Sequence, residues 1–554
     1  MTDSERHTLR RELSGLIRRI APDDHQSIDP LIGPLLDAID AQHTHILLGD
    51  VTLDALTKHP TGNIVGHPDS NSPMVLWENR LYFRRYYNLE KRIANQLTVR
   101  NRGLHRSHSV ELSQHLRQTF PVLTAQQINA IEIAQDRGLS IITGGPGTGK
   151  TTIIKALLTS ALALNANLRA ALAAPTGKAV ARLEHTLEGL SIQQDRIEVK
   201  TLHRLLGYGL AGSTRYHRNR RLALDLVIID EASMIDLNLA DALLHALPDT
   251  AQLILIGDPN QLPSVNLGRL LSDLAQPLQS GGLLLEPAQS QLTENFRFKA
   301  QSGIDRLAQA IIDQRHIGLE TDATVQWLAP EKLDDSVLTQ AFSAWIDCLR
   351  KPSAPSEFFA ALDVCRILAP QHAGPRGVIA MNEKVVSILA RLRLINLENP
   401  DYFHGQPLLI LKNDYALNLF NGDVGFCIDP KKWPAMALDF PSSTGPIACF
   451  KHHREDGLRY LQIDALPEHE TCFAMTVHKA QGSEFDEVLL VLDESNPESD
   501  HHLLTQELLY TGVTRAKARL KLVTTEQTWL RATQHRFERR SGLKAMLSTV
   551  TETL

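Results

Sequence analysis

Four short apolar runs recur in the first half of the chain, each closed by a polar or glycine stop: Ser140–Thr143, Ala170–Ala174, Leu226–Ile229 and Leu253–Ile256. Helix-compatible stretches such as Thr152–Leu164 lie between them. Unbroken apolar runs of strand length alternating with helices are what a parallel sheet covered on both faces requires. The pattern predicts an α/β domain over residues 120–300 and, from a second alternating region, another over 301–554. The second is interrupted at about 405–470 by β-like runs and turn signals, Leu408–Lys412 and Asn421-Gly422-Asp423 among them, which read as a small β-rich insertion. Residues 1–110 differ. They carry helical periodicity over Leu9–Ile20 and near Leu81–Leu97, a Pro/Gly/Asn-rich connection His59–Pro73, and a polar run Asn101–Ser109 that reads as a linker. This predicts a separate helical domain without a catalytic motif, suited to docking a partner.

Composition narrows the class. At 554 residues the chain is too long for one core and points to roughly three or four domains. A net charge of −6 argues against holding nucleic acid by global charge, so any such grip must be local. Five scattered cysteines, Cys348, Cys365, Cys427, Cys449 and Cys472, form no C-x-x-C pair, which argues against a zinc site or a secreted disulfide framework and fits a reduced cytosol. Met1–Arg19 is charged throughout and no apolar stretch is long enough for a bilayer, so the expectation is a cytoplasmic protein with no membrane partner.

The chemistry begins where the first apolar run ends. Gly144-Gly145-Pro146-Gly147-Thr148-Gly149-Lys150-Thr151-Thr152 has the G-x-x-x-x-G-K-[ST] spacing of a phosphate cradle. Its glycines let backbone N–H groups close around a polyphosphate, Lys150 reaches the β- and γ-phosphates, and the Thr151 hydroxyl can ligate Mg²⁺. An accidental glycine turn would lack the strand before and the helix after. Asp230-Glu231 closes Leu226–Ile229, 80 positions after Lys150, where Asp230 can hold Mg²⁺ and Glu231 can activate the attacking water. Gln261, in Gly257-Asp258-Pro259-Asn260-Gln261, is placed to sense the γ-phosphate. Arg297 and Arg515 are expected to reach across a cleft to the transferring phosphoryl group. The block Thr476-Val477-His478-Lys479-Ala480-Gln481-Gly482-Ser483-Glu484 mixes groups suited to a sugar-phosphate backbone, with Thr476 and His478 as DNA contacts. Phe296, Phe298, Tyr402, Phe403 and Tyr415 are aromatic candidates for base stacking, although an aromatic beside a motif is more often core.

Taken in order, these blocks resemble the superfamily-one helicases over most of residues 120–525. The resemblance implies two RecA-like P-loop motor domains, with the helical N-terminal domain before them and an SH3-like insertion in the second. It implies ATP and Mg²⁺ as cofactors, an adenine-reading role for Gln127 in Leu123-Thr124-Ala125-Gln126-Gln127, and DNA-backbone contacts by Thr176, Lys178 and His203. It also implies that Gln481 couples DNA to ATP and that Glu484 contacts the ribose. Finer features, such as Ala174-Pro175-Thr176-Gly177-Lys178-Ala179, Tyr510-Thr511-Gly512-Val513-Thr514-Arg515-Ala516 and Leu81-Tyr82-Phe83-Arg84-Arg85-Tyr86-Tyr87, are similar to the RecD family, alpha subunits of exodeoxyribonuclease V (RecBCD). That family implies 5′-to-3′ movement on single-stranded DNA, action at duplex ends, and RecB-like and RecC-like partners in a heterotrimer. No nuclease constellation of carboxylates with lysine is evident, so degradation would belong to a partner. Residues 208–224, with Arg215, Tyr216, Arg218, Arg220 and Arg221, stand where the family carries a small hairpin, and a solvated basic loop reads equally well. Two other readings stay open: a stand-alone repair helicase, and an ATP-switched regulatory subunit with little unwinding of its own.

Overall fold

The computed structural model describes residues 3–20, 22, 25–49, 56, 64–102, 110–187, 196–209, 213–275, 289–297, 302–315, 322–351, 353–395, 402–414, 416–429, 446–452, 457–492 and 503–549. The first α/β domain is built on a six-stranded, all-parallel sheet. Its order is Gln289–Leu292, Leu139–Gly144, Gln252–Gly257, Leu226–Ile229, Ala170–Ala174, Ile197–Thr201. The four central strands are the apolar runs, fully buried because helices cover both faces. The two edge strands were not expected. Ile197–Thr201 and Gln289–Leu292 are half-exposed and polar enough to hide an apolar signal. With every strand parallel, all six carboxyl ends lie on one edge of the sheet, where ligands of such sheets bind.

The second sheet is also all-parallel, in the order Val325–Leu328, Ala516–Val523, Phe485–Val491, Cys365–Ala369, Ala474–Thr476. The stretch between its helix Val378–Arg391 and the strand Ala474–Thr476 forms a five-stranded antiparallel sheet. Its order is Leu458–Gln462, Ile447–Lys451, Val424–Ile428, Pro407–Ile410, His469–Thr471. Alternation along Val424–Ile428 divides its faces: Phe426 and Ile428 enter the second domain's core beside Trp345 and Phe358, while Cys427 packs with Leu408, Ile410 and Phe450 in a core of the insertion's own.

Residues before the motor domains correct the expectation of a purely helical unit. Helices Asp3–Ile20, His25–Asp40 and Arg84–Arg102 accompany a four-stranded sheet ordered His45–Leu47, Arg80–Phe83, Met74–Trp77, Val65–Gly66. The run Leu81–Phe83 is strand because Glu78, at φ 54°, turns the chain tightly between Trp77 and Arg80, and helix begins only at Arg84. The linker stretch 103–109 lies outside the described residues. Helix Arg84–Arg102 lies against the first motor's helix Leu237–Ala246. There the fully buried Arg100 donates to the carbonyls of Leu247, Pro248 and Ala251 at 3.0, 2.9 and 2.8 Å. A guanidinium at that position satisfies the free carbonyls of a helix end. Among the described residues no helix is long and apolar enough to cross a membrane.

The chain's end also departs from its assignment to the second motor. Beyond helix Glu526–Gln534, Arg539 donates to the carbonyls of Ser264, Val265, Asn266 and Gly268 on the first motor. Helix Leu543–Thr549 then seats Leu543, Met546 and Leu547 among Tyr82, Tyr87, Ile93 and Leu97. At the join, Glu90 accepts from Ser541 Oγ at 2.9 Å and from the Gly542 N–H at 3.1 Å, and a Cβ at Gly542 would overlap the Tyr82 hydroxyl.

Burial pushes the Glu90 carboxyl up to about 7, against the opposing pull of the Ser541 and Thr44 hydroxyls. Because the folded value lies above the ordinary 4.5, Glu90 contributes stability in full below pH 4.5 and loses it as pH rises through about 7. Glu90→Gln is expected to remove on the order of 3 kcal/mol from the pH dependence of unfolding across that window. Denaturant titrations of both proteins at several pH values check this, and parallel curves would contradict it.

Candidate nucleotide site and the cleft between the motor domains

The phosphate cradle joins strand Leu139–Gly144 to helix Lys150–Leu164, so the helix N-terminus faces the site. Gly147 and Gly149 adopt φ 81° and 79°, conformations that L side chains rarely take. A Cβ on Gly147 would strike Arg297, and one on Gly149 would strike Gln127. Thr148 Oγ1 donates to the Gly145 carbonyl at 2.9 Å and Pro146 O accepts from Asn295 Nδ2 at 3.0 Å. Lys150 Nζ donates to the carbonyls of Gly144 and Gly145 at 2.7 and 2.9 Å. Thr151 and Thr152 follow in the first helical turn, part-buried.

Gln127 closes a capping box: Thr124 Oγ1 accepts from the Gln127 N–H, and Gln127 Oε1 accepts from the Thr124 N–H at 3.0 Å. Its Nε2 donates to the Thr148 carbonyl at 3.0 Å. Here Gln127 ties the helix start to the cradle. Phe296, 56% exposed, lies against the same loop, with its N–H donating to the Gly147 carbonyl at 2.8 Å and its ring 3.9 Å from where a Gly149 Cβ would stand.

Opposite the cradle, Asp230 and Glu231 are both buried, and Asp230 Oδ1 accepts from the Glu231 N–H at 2.9 Å. Glu231 sits at φ 52°, a strained backbone for glutamate of the kind that gathers at functional sites. Burial, and then the Glu231 charge, push Asp230 up to about 6, while Lys150 pulls it down. Burial likewise raises Asp258, whose Oδ2 accepts from Gln261 Nε2 at 3.1 Å.

The two arginines do not share an origin. Arg297 was expected to reach across a cleft, but it follows the unforeseen edge strand Gln289–Leu292 and stands on the cradle's own sheet. Only Arg515 comes from the second domain, where its guanidinium donates to Thr511 O at 3.1 Å and Ser483 O at 3.3 Å. Arg297 pairs with Glu484 across the cleft, and Arg182 Nη1 lies 3.4 Å from the same carboxylate. Burial raises Glu484, but Arg297, Arg182 and Arg515 reverse that and hold it below the usual range. Glu484, expected on a ribose, is here held by arginines. Three guanidinium groups around one carboxylate leave the cluster cationic, and Arg297 Nη1 is buried without a partner. An orphaned donor beside a phosphate cradle, and a raised Asp230 with Lys150 and, more weakly, Arg182 as counter-charges, fit a nucleotide triphosphate with a divalent cation.

The remaining candidates line the seam above. Gln481 Nε2 donates to the Leu262 carbonyl at 2.9 Å, one residue past Gln261. Thr176 Oγ1 accepts from the Ala179 N–H at a helix start facing Gly482, and Lys178 Nζ donates to Ser483 Oγ at 3.0 Å. His203 is exposed on the short helix Leu202–Leu206; beside it the Arg204 guanidinium lies 4.7 Å from the ring of Phe420, an insertion residue that also packs on Gly177. Thr476 Oγ1 accepts from the Lys479 N–H, and part-buried His478 is lowered by burial and then by Arg539. Residues 213–220 fold into tight backbone turns with Tyr216 between Arg215 and Arg220. Phe403 packs on the second domain's core, and Phe298 and Tyr415 lie outside the described residues.

Two parallel sheets that present a phosphate cradle, an acidic pair and one arginine from each side to a shared cleft define a superfamily-one helicase motor, driven by ATP. The descriptions "AAA domain" and "UvrD-like helicase C-terminal domain" match residues 127–267 and 471–523. The RecBCD enzyme subunit RecD of Mycolicibacterium smegmatis is 33% identical over 90% of this chain and 86% of its own length. The ATP-dependent RecD2 DNA helicase of Deinococcus radiodurans is 29% identical over 76% of this chain, but over only 51% of that protein. Among solved structures, the Pif1 helicase from Candida albicans aligns over 78% of this chain and 99% of that chain, at 16% identity and a TM-score of 0.42. The chain belongs to the RecD family of helicase subunits.

Proposed function

We propose that this chain is the 5′-to-3′ motor of a heterotrimeric helicase–nuclease. Its partners are RecB-like and RecC-like subunits, its substrate is DNA entered from duplex ends, and its setting is double-strand break repair, homologous recombination and degradation of linear DNA. The observation that carries the motor reading is the docking of the second domain on the loop after Asp258. Tyr510, Thr511 and Gln481 all bond to that loop from across the cleft. A change at the γ-phosphate position therefore moves both domains.

Lys150 and the cradle N–H groups bind the phosphates, Thr151 and Asp230 would hold Mg²⁺, Glu231 takes the proton from the attacking water, and Arg515 closes on the cleft. Mg²⁺ supplies neutralisation of phosphate charge when bound. Thr176, Lys178, His203, Thr476 and His478 form the path for one DNA strand, and alternate gripping by the two domains advances it. Residues 1–110 serve as the partner-docking domain and the β-rich insertion as an SH3-like module.

The subunit reading rests on the likeness to RecD, 33% identical over 90% of this chain, against 29% over 76% of it for RecD2. Mixing the purified chain with a RecB-like–RecC-like pair is expected to give one co-eluting heterotrimer by size exclusion. Separate elution would favour a stand-alone helicase.

A further inference from the structure

The second domain touches the loop Asp258–Leu262 in two different ways. Thr511 Oγ1 accepts from the Leu262 N–H at 2.8 Å and Gln481 Nε2 donates to the Leu262 carbonyl at 2.9 Å, so one residue's backbone is clamped from both sides. Tyr510 instead reaches a side chain. Its hydroxyl donates to Asp258 Oδ2 at 2.9 Å, the oxygen that also accepts from Gln261 Nε2. Tyr510 is 3% exposed, and its hydroxyl lies 3.0 Å from where a Cβ on Gly145 would stand, directly against the phosphate cradle.

These contacts dictate an orientation. An ionised carboxylate only accepts, so Asp258 draws the NH₂ end of Gln261 towards itself and turns the carbonyl oxygen, Oε1, the other way. A glutamine oriented so can accept a hydrogen bond from a water beside the γ-phosphate. Burial raises Asp258, while the Lys150 charge, the Asn260 N–H, the Tyr510 hydroxyl and the Gln261 amide each pull it back towards the ionised form that accepts from them.

We propose that Tyr510 is a positioning residue: through its hydroxyl the second motor domain orients Asp258 and Gln261 against the phosphate cradle, coupling ATP hydrolysis to strand movement. The inference rests on the helicase reading and adds a residue distinct from the arginine at 515. Tyr510→Phe removes one oxygen and leaves the Thr511 and Gln481 clamp in place.

The test compares wild type, Tyr510→Phe, Asp258→Asn and the double variant for steady-state ATPase with saturating single-stranded DNA and for base pairs unwound per ATP. Tyr510→Phe is expected to lower the DNA-stimulated kcat about tenfold with the KM for ATP changed by less than about twofold, and to lower base pairs unwound per ATP. The double variant is expected to be no worse than Asp258→Asn alone, because the hydroxyl acts only through that carboxylate. Independent losses that multiply, or a Tyr510→Phe enzyme with wild-type kcat and coupling, would overturn the inference while leaving the helicase reading intact. A wild-type chain that neither hydrolyses ATP with DNA nor unwinds would overturn both.

Discussion

Replacing Arg515 with alanine is expected to lower DNA-stimulated ATP turnover by about three orders of magnitude, the lower end of what an arginine on a transferring phosphoryl group contributes. Of the two arginines it is the one the second domain carries, so its loss is the one expected to uncouple the domains. Arg297 shares a sheet with the phosphate cradle and stays beside it whatever the second domain does. Arg515 is carried at the end of helix Gln506–Val513, the same helix that presents Tyr510 and Thr511 to the loop at Asp258. Arg515 is 2% exposed and its guanidinium is held by the carbonyls of Thr511 and Ser483, so its position follows the helix rather than its own rotamer freedom. Arg515→Lys is expected to recover only part of the loss, since a lysine keeps the charge but not the planar fork. Steady-state ATPase assays at saturating ATP and DNA measure both variants. A loss smaller than about tenfold for Arg515→Ala would remove it from the phosphoryl-transfer machinery.

The next largest loss, about two to three orders of magnitude in ATP turnover, is expected for Lys150→Ala. Lys150 Nζ rests on the carbonyls of Gly144 and Gly145, close enough to lower the pKa of both Asp230 and Asp258. Its removal takes away a phosphate ligand and also lifts Asp230 further above its already raised value of about 6, leaving less carboxylate to hold a cation. The lysine bonds to the cradle carbonyls, but the glycines at φ 81° and 79° and the Gln127 bond to Thr148 remain without it, so the fold is expected to persist. A thermal melt matching wild type together with turnover lowered by about two to three orders of magnitude is the predicted pair of results. Turnover at the parental rate would contradict the assignment.

What could be read from the chain was whatever is written in consecutive residues. The cradle and the pair Asp230-Glu231 announce themselves because a short stretch must carry both the backbone conformation and the chemistry, and the four central strands because burial on both faces demands unbroken apolar runs. The edge strands were hidden by partial exposure, and with Gln289–Leu292 went the true seat of Arg297. The hydrogen bond from Tyr510 to Asp258 joins residues 252 positions apart, and nothing in either segment names its partner. The N-terminal sheet was missed because Leu81–Phe83 continues smoothly into the periodicity of the following helix. The return of the C-terminus was missed because Leu543, Met546 and Leu547 make too short a stripe to stand out, while the buried Glu90 that receives the join looks like any helix-surface carboxylate in sequence.

The central claim, a RecD-like motor that pulls on one strand in the 5′-to-3′ direction, is tested most directly by unwinding of matched duplexes that carry either a 5′ or a 3′ single-stranded tail, with Lys150→Ala as control. The account predicts strand separation from the 5′-tailed duplex alone, and none by Lys150→Ala. Unwinding from the 3′ tail alone would contradict the direction. No unwinding from either tail, with ATP hydrolysis still present, would favour an ATP-switched regulatory subunit or a motor that works only when assembled.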